Sequence, residues 1–89
     1  MVFTDKEYSV LDKIATKSKM DCWFHIIQDE NGNDHILDLE NNNTLPIHTG
    51  ISQLVEGMTN FKDYALTEEE IAIFKELISG LNIKFVPLD

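Results

Sequence analysis

Residues 21–40 read DCWFHIIQDENGNDHILDLE, and this stretch decides the fold. Two runs with high strand propensity, residues 22–28 and 35–39, flank the dipeptide Asn31-Gly32. Asn-Gly readily adopts positive φ at both central positions of a two-residue type I′ turn. The sequence therefore predicts an antiparallel β-hairpin with Asn31 and Gly32 at its tip.

A two-residue turn also fixes the predicted register of the hairpin. It pairs Ile26 with Leu37 and His25 with Asp38, and paired residues share a face of the sheet. One face is then apolar and is expected to pack on helices; its residues are Phe24, Ile26, Leu37 and Leu39. The other face mixes aromatic, aliphatic and charged residues, and we interpret it as a binding surface; its residues are Trp23, His25, Ile27, Ile36, Asp38 and Glu40.

The chain is strongly acidic, with 16 Asp and Glu against seven Lys and a formal net charge of −9. No basic residue lies between Lys19 and Lys62. Nucleic-acid phosphates and anionic lipids are bound through Lys and Arg, so the composition argues against both ligands. Solubility alone explains an acidic surface, but the acidic hairpin also favours a protein partner with a basic surface. On that interpretation the binding surface extends to Asp29, Glu30 and Asp34.

The 89 residues are expected to form one acidic domain with a single hydrophobic core. One Cys cannot form an internal disulfide, and no stretch resembles a signal peptide or a membrane span. We therefore expect a cytoplasmic protein, a monomer or homodimer, that uses no cofactor.

Two helices are predicted from their N-terminal signals. Thr4 and Thr67 are each followed three residues later by Glu, the capping-box arrangement. The helices should span about residues 5–17 and 68–79, and Gly80 should end the second one. Their apolar stripes, with a leucine of the middle helix, supply the predicted core partners of the hairpin, which are Leu11, Leu54, Phe74 and Leu77.

Between the hairpin and the last helix, apolar spacing predicts a short helix over about residues 49–59. Residues 41–46 are expected to be an exposed loop, and residues 61–66 a loop tucked under the fold. Residues 82–86 alternate as in a strand and could extend one edge of the hairpin. The predicted class is α+β, in the order α-β-β-α-α-β, with a small sheet, antiparallel or mixed, covered by helices on one face.

Candidate catalytic residues are few. Cys22 and His25 have the spacing of a metal or thiol motif, but residues three apart on a strand point to opposite faces, so Cys22 is interpreted as buried and unreactive. His25 and Asp38 form the one predicted pair with the geometry of a base and its orienting carboxylate. No Ser or Thr lies on these strands to act as nucleophile. A cross-strand ion pair is therefore favoured over catalysis, and the protein is not predicted to be an enzyme.

Residues 29–40 resemble the calcium-binding loop of the EF-hand family. Positions 1, 3, 5 and 12 of that loop would be Asp29, Asn31, Asn33 and Glu40. Position 6, which is Gly in the family, is Asp34, and residues 41–46 interrupt the helix that should follow. The resemblance covers 12 of the 89 residues and implies calcium binding at the hairpin tip.

The leading hypothesis is a small, non-enzymatic, acidic module that acts by binding another protein. A sharper form is an inhibitor or immunity-type protein whose acidic hairpin occupies the basic nucleic-acid-binding groove of its partner. Calcium binding through the hairpin tip and a small hydrolase or transferase using His25 are the alternatives from other functional classes.

Overall fold

The computed structural model describes residues 3–18 and 24–88. Its elements are α1 (Asp5–Lys17), β1 (His25–Gln28), β2 (Asp34–Asp38), β3 (Asn43–Pro46), α2 (Ile47–Glu56), a single 3-10 turn (Lys62–Tyr64) and α3 (Glu68–Gly80). The three strands form an antiparallel sheet in the order β1-β2-β3. The α+β class and the order of a helix, a hairpin and two helices are confirmed.

Helices α1 and α3 begin at the predicted capping boxes. The Thr4 hydroxyl accepts the Glu7 N–H at 3.2 Å, and the Glu7 carboxylate accepts the Thr4 N–H at 2.8 Å. Thr67 and Glu70 exchange the same two bonds at 3.1 and 2.9 Å. These bonds satisfy N–H groups that the start of a helix leaves unpaired. The local sequence therefore predicts correctly where both helices begin.

The end of α3 differs from the prediction. Asn82 takes the left-handed conformation, with φ of 58°, while Gly80 stays in the helix. The Ile83 N–H donates to the Ile78 carbonyl at 2.9 Å, and the Asn82 N–H donates to the Ser79 carbonyl at 3.1 Å. This pair of bonds is the Schellman motif, which satisfies the last helical carbonyls. The prediction that Gly80 ends the helix is wrong, because Asn82 tolerates the positive φ that the motif requires.

The third strand is β3, which was predicted to be a loop, and residues 82–86 are not in a strand. β3 pairs with β2 so that Thr44 lies opposite Leu37 and Leu45 lies opposite Ile36. The asparagine run is therefore a tight turn rather than an open loop. Within it, Asn42 adopts a positive φ of 53°.

The helices cover one face of the sheet, as predicted. The predicted core residues Leu11, Leu54, Phe74 and Leu77 are buried. In the predicted tucked loop, Phe61 is also buried, and its ring packs edge-to-face on Phe74 with centroids 6.2 Å apart. That loop prediction is confirmed as well.

Helix α2 lies very close to the central strand. A Cβ atom on Gly50 would overlap Ile36 Cγ1 and lie 3.1 Å from Ile36 Cβ. Ile36 is fully buried. Helix α2 therefore packs against the inner side of β2 at a position where only glycine fits without a shift. α2 begins earlier than the predicted residue 49, and this places Gly50 in its first turn.

None of the helices within residues 3–18 and 24–88 has both the length and the apolar composition needed to cross a membrane.

Candidate functional site

The loop between β1 and β2 sets the geometry of the candidate site. Asp29 Oδ1 accepts the N–H groups of Asn31 and Asn33, each at 2.9 Å. The Asp29 N–H donates to the Asn33 carbonyl at 2.9 Å, which closes a loop of three residues, 30–32. Of the two predicted turn residues only Gly32 has a positive φ, 80°. The predicted type I′ turn is wrong because the Asp29 carboxylate stabilises a longer loop with Gly32 in the left-handed position.

The longer loop shifts the register of the hairpin by one residue. Ile26 pairs with Ile36, and His25 pairs with Leu37. Because side chains alternate along a strand, this shift turns every β2 side chain to the face opposite to the predicted one. The predicted pairing of His25 with Asp38 is therefore wrong, and so are the predicted core positions of Leu37, which is half-buried, and Leu39, which is 58% exposed.

The inner face of β2 is buried and includes two carboxylates. Asp34, Ile36 and Asp38 are 3%, 0% and 6% exposed. Asp34 Oδ1 accepts the Tyr8 hydroxyl at 2.9 Å, which ties β2 to α1, whereas Asp34 Oδ2 is buried without a hydrogen-bond partner in the described part of the chain. Burial and the bond to Asp34 raise the pKa of Tyr8. Asp34 therefore faces the helices.

Asp38 organises the turn between β2 and β3. Its carboxylate accepts the Asn41 side-chain amide at 2.9 Å and the backbone N–H groups of Glu40 and Asn41 at 3.0 and 3.1 Å. These bonds, that of the Asn41 amide first, hold the pKa of Asp38 below its usual range. Both carboxylate oxygens of Asp38 are thus occupied by its own turn.

The opposite side of the sheet, which we call the outer sheet face, consists of His25, Ile27, His35, Leu37, Thr44 and Pro46. Cross-strand pairing arranges these residues in two rows, His25-Leu37-Thr44 and Ile27-His35-Pro46. Ile27 is 37% exposed, and Leu39, just beyond β2, is 58% exposed. Ile27, Thr44 and Pro46 of this face are exposed, whereas His25, His35 and Leu37 are half-buried. Nε2 of His25 is buried without a hydrogen-bond partner among the described residues.

An acidic residue borders this face at the hairpin tip. Asp29 Oδ2 lies 3.7 Å from His35 Nδ1, and the same nitrogen lies 3.3 Å from the Asn33 carbonyl. The backbone N–H groups that Asp29 accepts, that of Asn33 first, hold the pKa of Asp29 below its usual range. Asp29 therefore stays ionised beside His35, and a protonated His35 would form an ion pair with it.

The predicted binding residues are divided between three places. His25 and Ile27 lie on the outer sheet face, while Asp29, Glu30 and Glu40 are exposed in the turns at its two ends. Asp34, Ile36 and Asp38 are instead buried on the inner face. Trp23 lies outside the described residues, as does Cys22.

Sequence reasoning missed four residues of the outer sheet face, namely His35, Leu37, Thr44 and Pro46. A signal for the first two was present in the loop sequence. Asp29 precedes Asn31-Gly32 by two residues, the spacing at which an aspartate side chain caps its own turn and Gly32 becomes the third loop residue. Thr44 and Pro46 had no comparable local signal.

The structure forms neither the His25–Asp38 pair nor the EF-hand arrangement that the sequence suggested. His25 and Asp38 lie on opposite faces, so they do not form a base and its orienting carboxylate. Residues 34–38 form a strand, whereas the EF-hand loop leads into a helix. Among the described residues no group of three or more His, Cys, Asp or Glu side chains is placed to hold a metal ion.

Comparison of the chain with protein-family models, curated proteins and solved structures gives no match. The candidate site is therefore described by the geometry of this chain alone. Its central feature is a partly exposed sheet face of aliphatic and imidazole side chains, bordered by acids in the turns.

Proposed function

We propose that this protein is a small, non-enzymatic interaction module that binds another protein through the outer sheet face. The observation that carries this proposal is the exposure of two aliphatic residues, Ile27 on this face and Leu39 just beyond the end of β2. Ile27 is 37% exposed and Leu39 is 58% exposed, whereas Ile26 and Leu45 on the inner face pack against the core. Exposed aliphatic side chains on a hydrogen-bonded sheet form a rigid apolar surface that a partner can cover at little entropic cost.

The charge around this face favours a basic partner. Asp29 and Glu30 lie at the hairpin tip, Glu40 lies in the turn at the other end of β2, and all three are exposed. Lys19 and Lys62 are the nearest Lys residues in the sequence on either side, and the chain has no Arg. Acids around an apolar centre accelerate association with a basic surface and discriminate against acidic ones. Because Asp34 and Asp38 are buried, the exposed acids form a border around this face and not a continuous acidic patch.

The sharpest form of the proposal is an inhibitor or immunity-type protein that occupies a basic nucleic-acid-binding groove. Such grooves combine Lys and Arg, which contact phosphates, with apolar or aromatic side chains, which contact bases. An apolar centre bordered by carboxylates is complementary to both features.

The test is capture of a partner from host extract by the immobilised full chain. Leu37→Lys places a charge in the centre of the outer sheet face, and Gln53→Lys places the same charge on the exposed side of α2 as the matched control. We expect the wild-type chain and the Gln53→Lys variant to capture the same basic protein, and Leu37→Lys to lose at least about nine-tenths of it, a loss of about 1.4 kcal/mol. Capture should weaken as salt is raised, because salt screens exposed charges.

Circular dichroism verifies that both variants are folded. Equal capture by Leu37→Lys, or a captured partner with an acidic binding surface, would refute the proposal.

A further inference from the structure

Residues 83–88, which we call the strap, follow α3 and alternate in exposure. Ile83, Phe85 and Pro87 are half-buried, whereas Val86 and Leu88 are each 85% exposed. Alternation with period two is typical of an extended chain, and a residue before proline is restricted to extended conformations. The strap therefore has the alternating exposure of an extended segment, although it is not part of the sheet.

The strap is anchored to the body of the protein at three points. The Ile83 N–H donates to the Ile78 carbonyl at 2.9 Å, and the Leu88 N–H donates to the Thr59 carbonyl at 2.9 Å. Between them, the Phe85 ring packs edge-to-face on Phe61, with centroids 5.3 Å apart. The extended form is thus held before any partner binds.

The backbone between these anchors is unpaired. Within residues 3–18 and 24–88, no backbone N–H or carbonyl of residues 84–86 takes part in a hydrogen bond. Within the described residues the strap therefore has no neighbouring strand, and its free backbone groups can pair with an added one.

A groove of about 470 Å³ lies between the strap and α3. Its described walls include Lys75 and Lys84 but no Asp or Glu, in a chain that has 16 acids. Ile78 and Val86 supply apolar wall, and Lys75 Nζ lies 5.7 Å from the centroid of the Phe61 ring. The charge of this groove is thus opposite to that of the whole protein.

We propose that this groove binds an extended acidic segment of a partner protein by strand addition to the strap. The backbone of that segment pairs with the free groups of residues 84–86. Its acidic side chains meet Lys75 and Lys84, and its alternate apolar side chains cover Val86. This site is independent of the outer sheet face, since it uses another element and the opposite charge.

The probe is a capped eight-residue peptide of alternating Glu and Val, added to the ¹⁵N-labelled full chain. We expect saturable chemical-shift changes at the amides of residues 84–86, with hydrogen exchange of at least one of them slowed about tenfold at saturation, because each new backbone hydrogen bond protects its N–H. Val86→Glu should abolish these changes, because it adds negative charge to the groove. Gln53→Glu, with the same charge on the exposed side of α2, should preserve them.

Two further peptides separate charge from backbone pairing. A peptide of alternating Lys and Val should bind at least about tenfold more weakly, because it meets Lys75 and Lys84. The Glu and Val peptide with every amide N-methylated should give no exchange protection. Equal binding by either peptide, or no saturation by the parent peptide, would overturn the proposal.

Two other occupants are distinguished in the same experiment. Protection that rises with protein concentration without peptide would identify a second copy of the chain as the occupant. The same shifts with a short single-stranded oligonucleotide would identify a general anion site. Either result would also overturn strand addition by an acidic segment.

Discussion

The inner and outer faces of β2 belong to one strand but differ in almost every contact. Ile36 is fully buried against Gly50 of α2, whereas the next residue, Leu37, is half-buried on the outer sheet face. The inner carboxylates are tied to α1 and to the β2–β3 turn, and the outer imidazoles border an exposed apolar surface. Adjacent residues of β2 should therefore separate stability from binding.

The largest expected effect comes from truncating adjacent aliphatic residues of β2. Ile36→Ala should lower the free energy of unfolding by about 2 to 5 kcal/mol, because it leaves a cavity beneath α2. Leu37→Ala should lower it by about 1 kcal/mol or less, since the outer side chain is partly solvated. Urea unfolding of both variants measures the difference. A larger loss for Leu37→Ala would mean that the register is the one predicted from a two-residue turn.

The tether between α1 and the inner face should give the next effect. Tyr8→Phe removes the one hydrogen bond that the buried Asp34 carboxylate accepts from α1. Leaving a buried acceptor without its hydrogen bond costs about 1 to 3 kcal/mol. Tyr64→Phe is the control, because the Tyr64 ring is also buried but its hydroxyl has no hydrogen bond within the described residues. Equal unfolding midpoints for the two variants would show that the Tyr8 tether contributes nothing.

Two glycines test how closely α2 approaches the inner face. Gly50→Ala should destabilise by about 1 to 3 kcal/mol, because its Cβ would overlap Ile36. Gly80→Ala should stabilise by about 0.4 to 1 kcal/mol, because this helical position has no atom within 4 Å of an added Cβ. Thermal unfolding of the two variants should give shifts of opposite sign. A stabilising Gly50→Ala would show that α2 lies farther from β2.

The helices could be predicted because their signals are local. Thr4 and Glu7 satisfy each other's backbone N–H groups, and so do Thr67 and Glu70, within four residues of chain. No tertiary contact is needed to recognise such a start. The end of α3 was predicted less accurately than its start. The Schellman motif at Asn82 ends the helix, although Gly80, two residues earlier, is the more common residue for such an end.

The sheet could be predicted only in outline. Lengthening the β1–β2 loop by one residue shifts the register, and the register decides which β2 side chains face the core. The bonds accepted by Asp29 select a three-residue loop, and the register follows from that choice. His25 and Ile27 were assigned to the correct face because the first strand alternates whichever residue it pairs with. Leu37 and Ile36 were exchanged because their faces depend on the register.

The identity of the third strand also depends on nonlocal contacts. Residues 82–86 have a strand pattern but reach no sheet edge, because the Schellman motif directs them along α3. Residues 43–46 have a loop-like sequence but pair with β2, because Asp38 accepts the N–H groups of the turn before them. Strand propensity alone does not reveal which segment finds an edge.

The smallest expected effect is a pH dependence that compares an inner carboxylate with one at the tip. Hydrogen bonds from Asn41 and its neighbour lower the pKa of Asp38, and backbone bonds from Asn33 and Asn31 lower the pKa of Asp29. A depressed pKa means that the unfolded chain binds the proton more tightly, so the stabilisation is fully present above the ordinary aspartate value of about 3.9. It is lost as the pH falls through the lower value of the folded protein.

Asp38→Asn and Asp29→Asn each replace one ionisable carboxyl group by an amide of the same shape. Each variant should be less stable than the wild type near neutral pH and should approach it as the pH is lowered to about 3. The convergence should be larger for Asp38, which is 6% exposed on the inner face and accepts a side-chain amide as well as backbone bonds. Urea unfolding midpoints across this pH range measure it. Parallel profiles for all three proteins would show that neither turn depends on an ionised carboxylate, and that the two faces of the sheet do not differ in this respect.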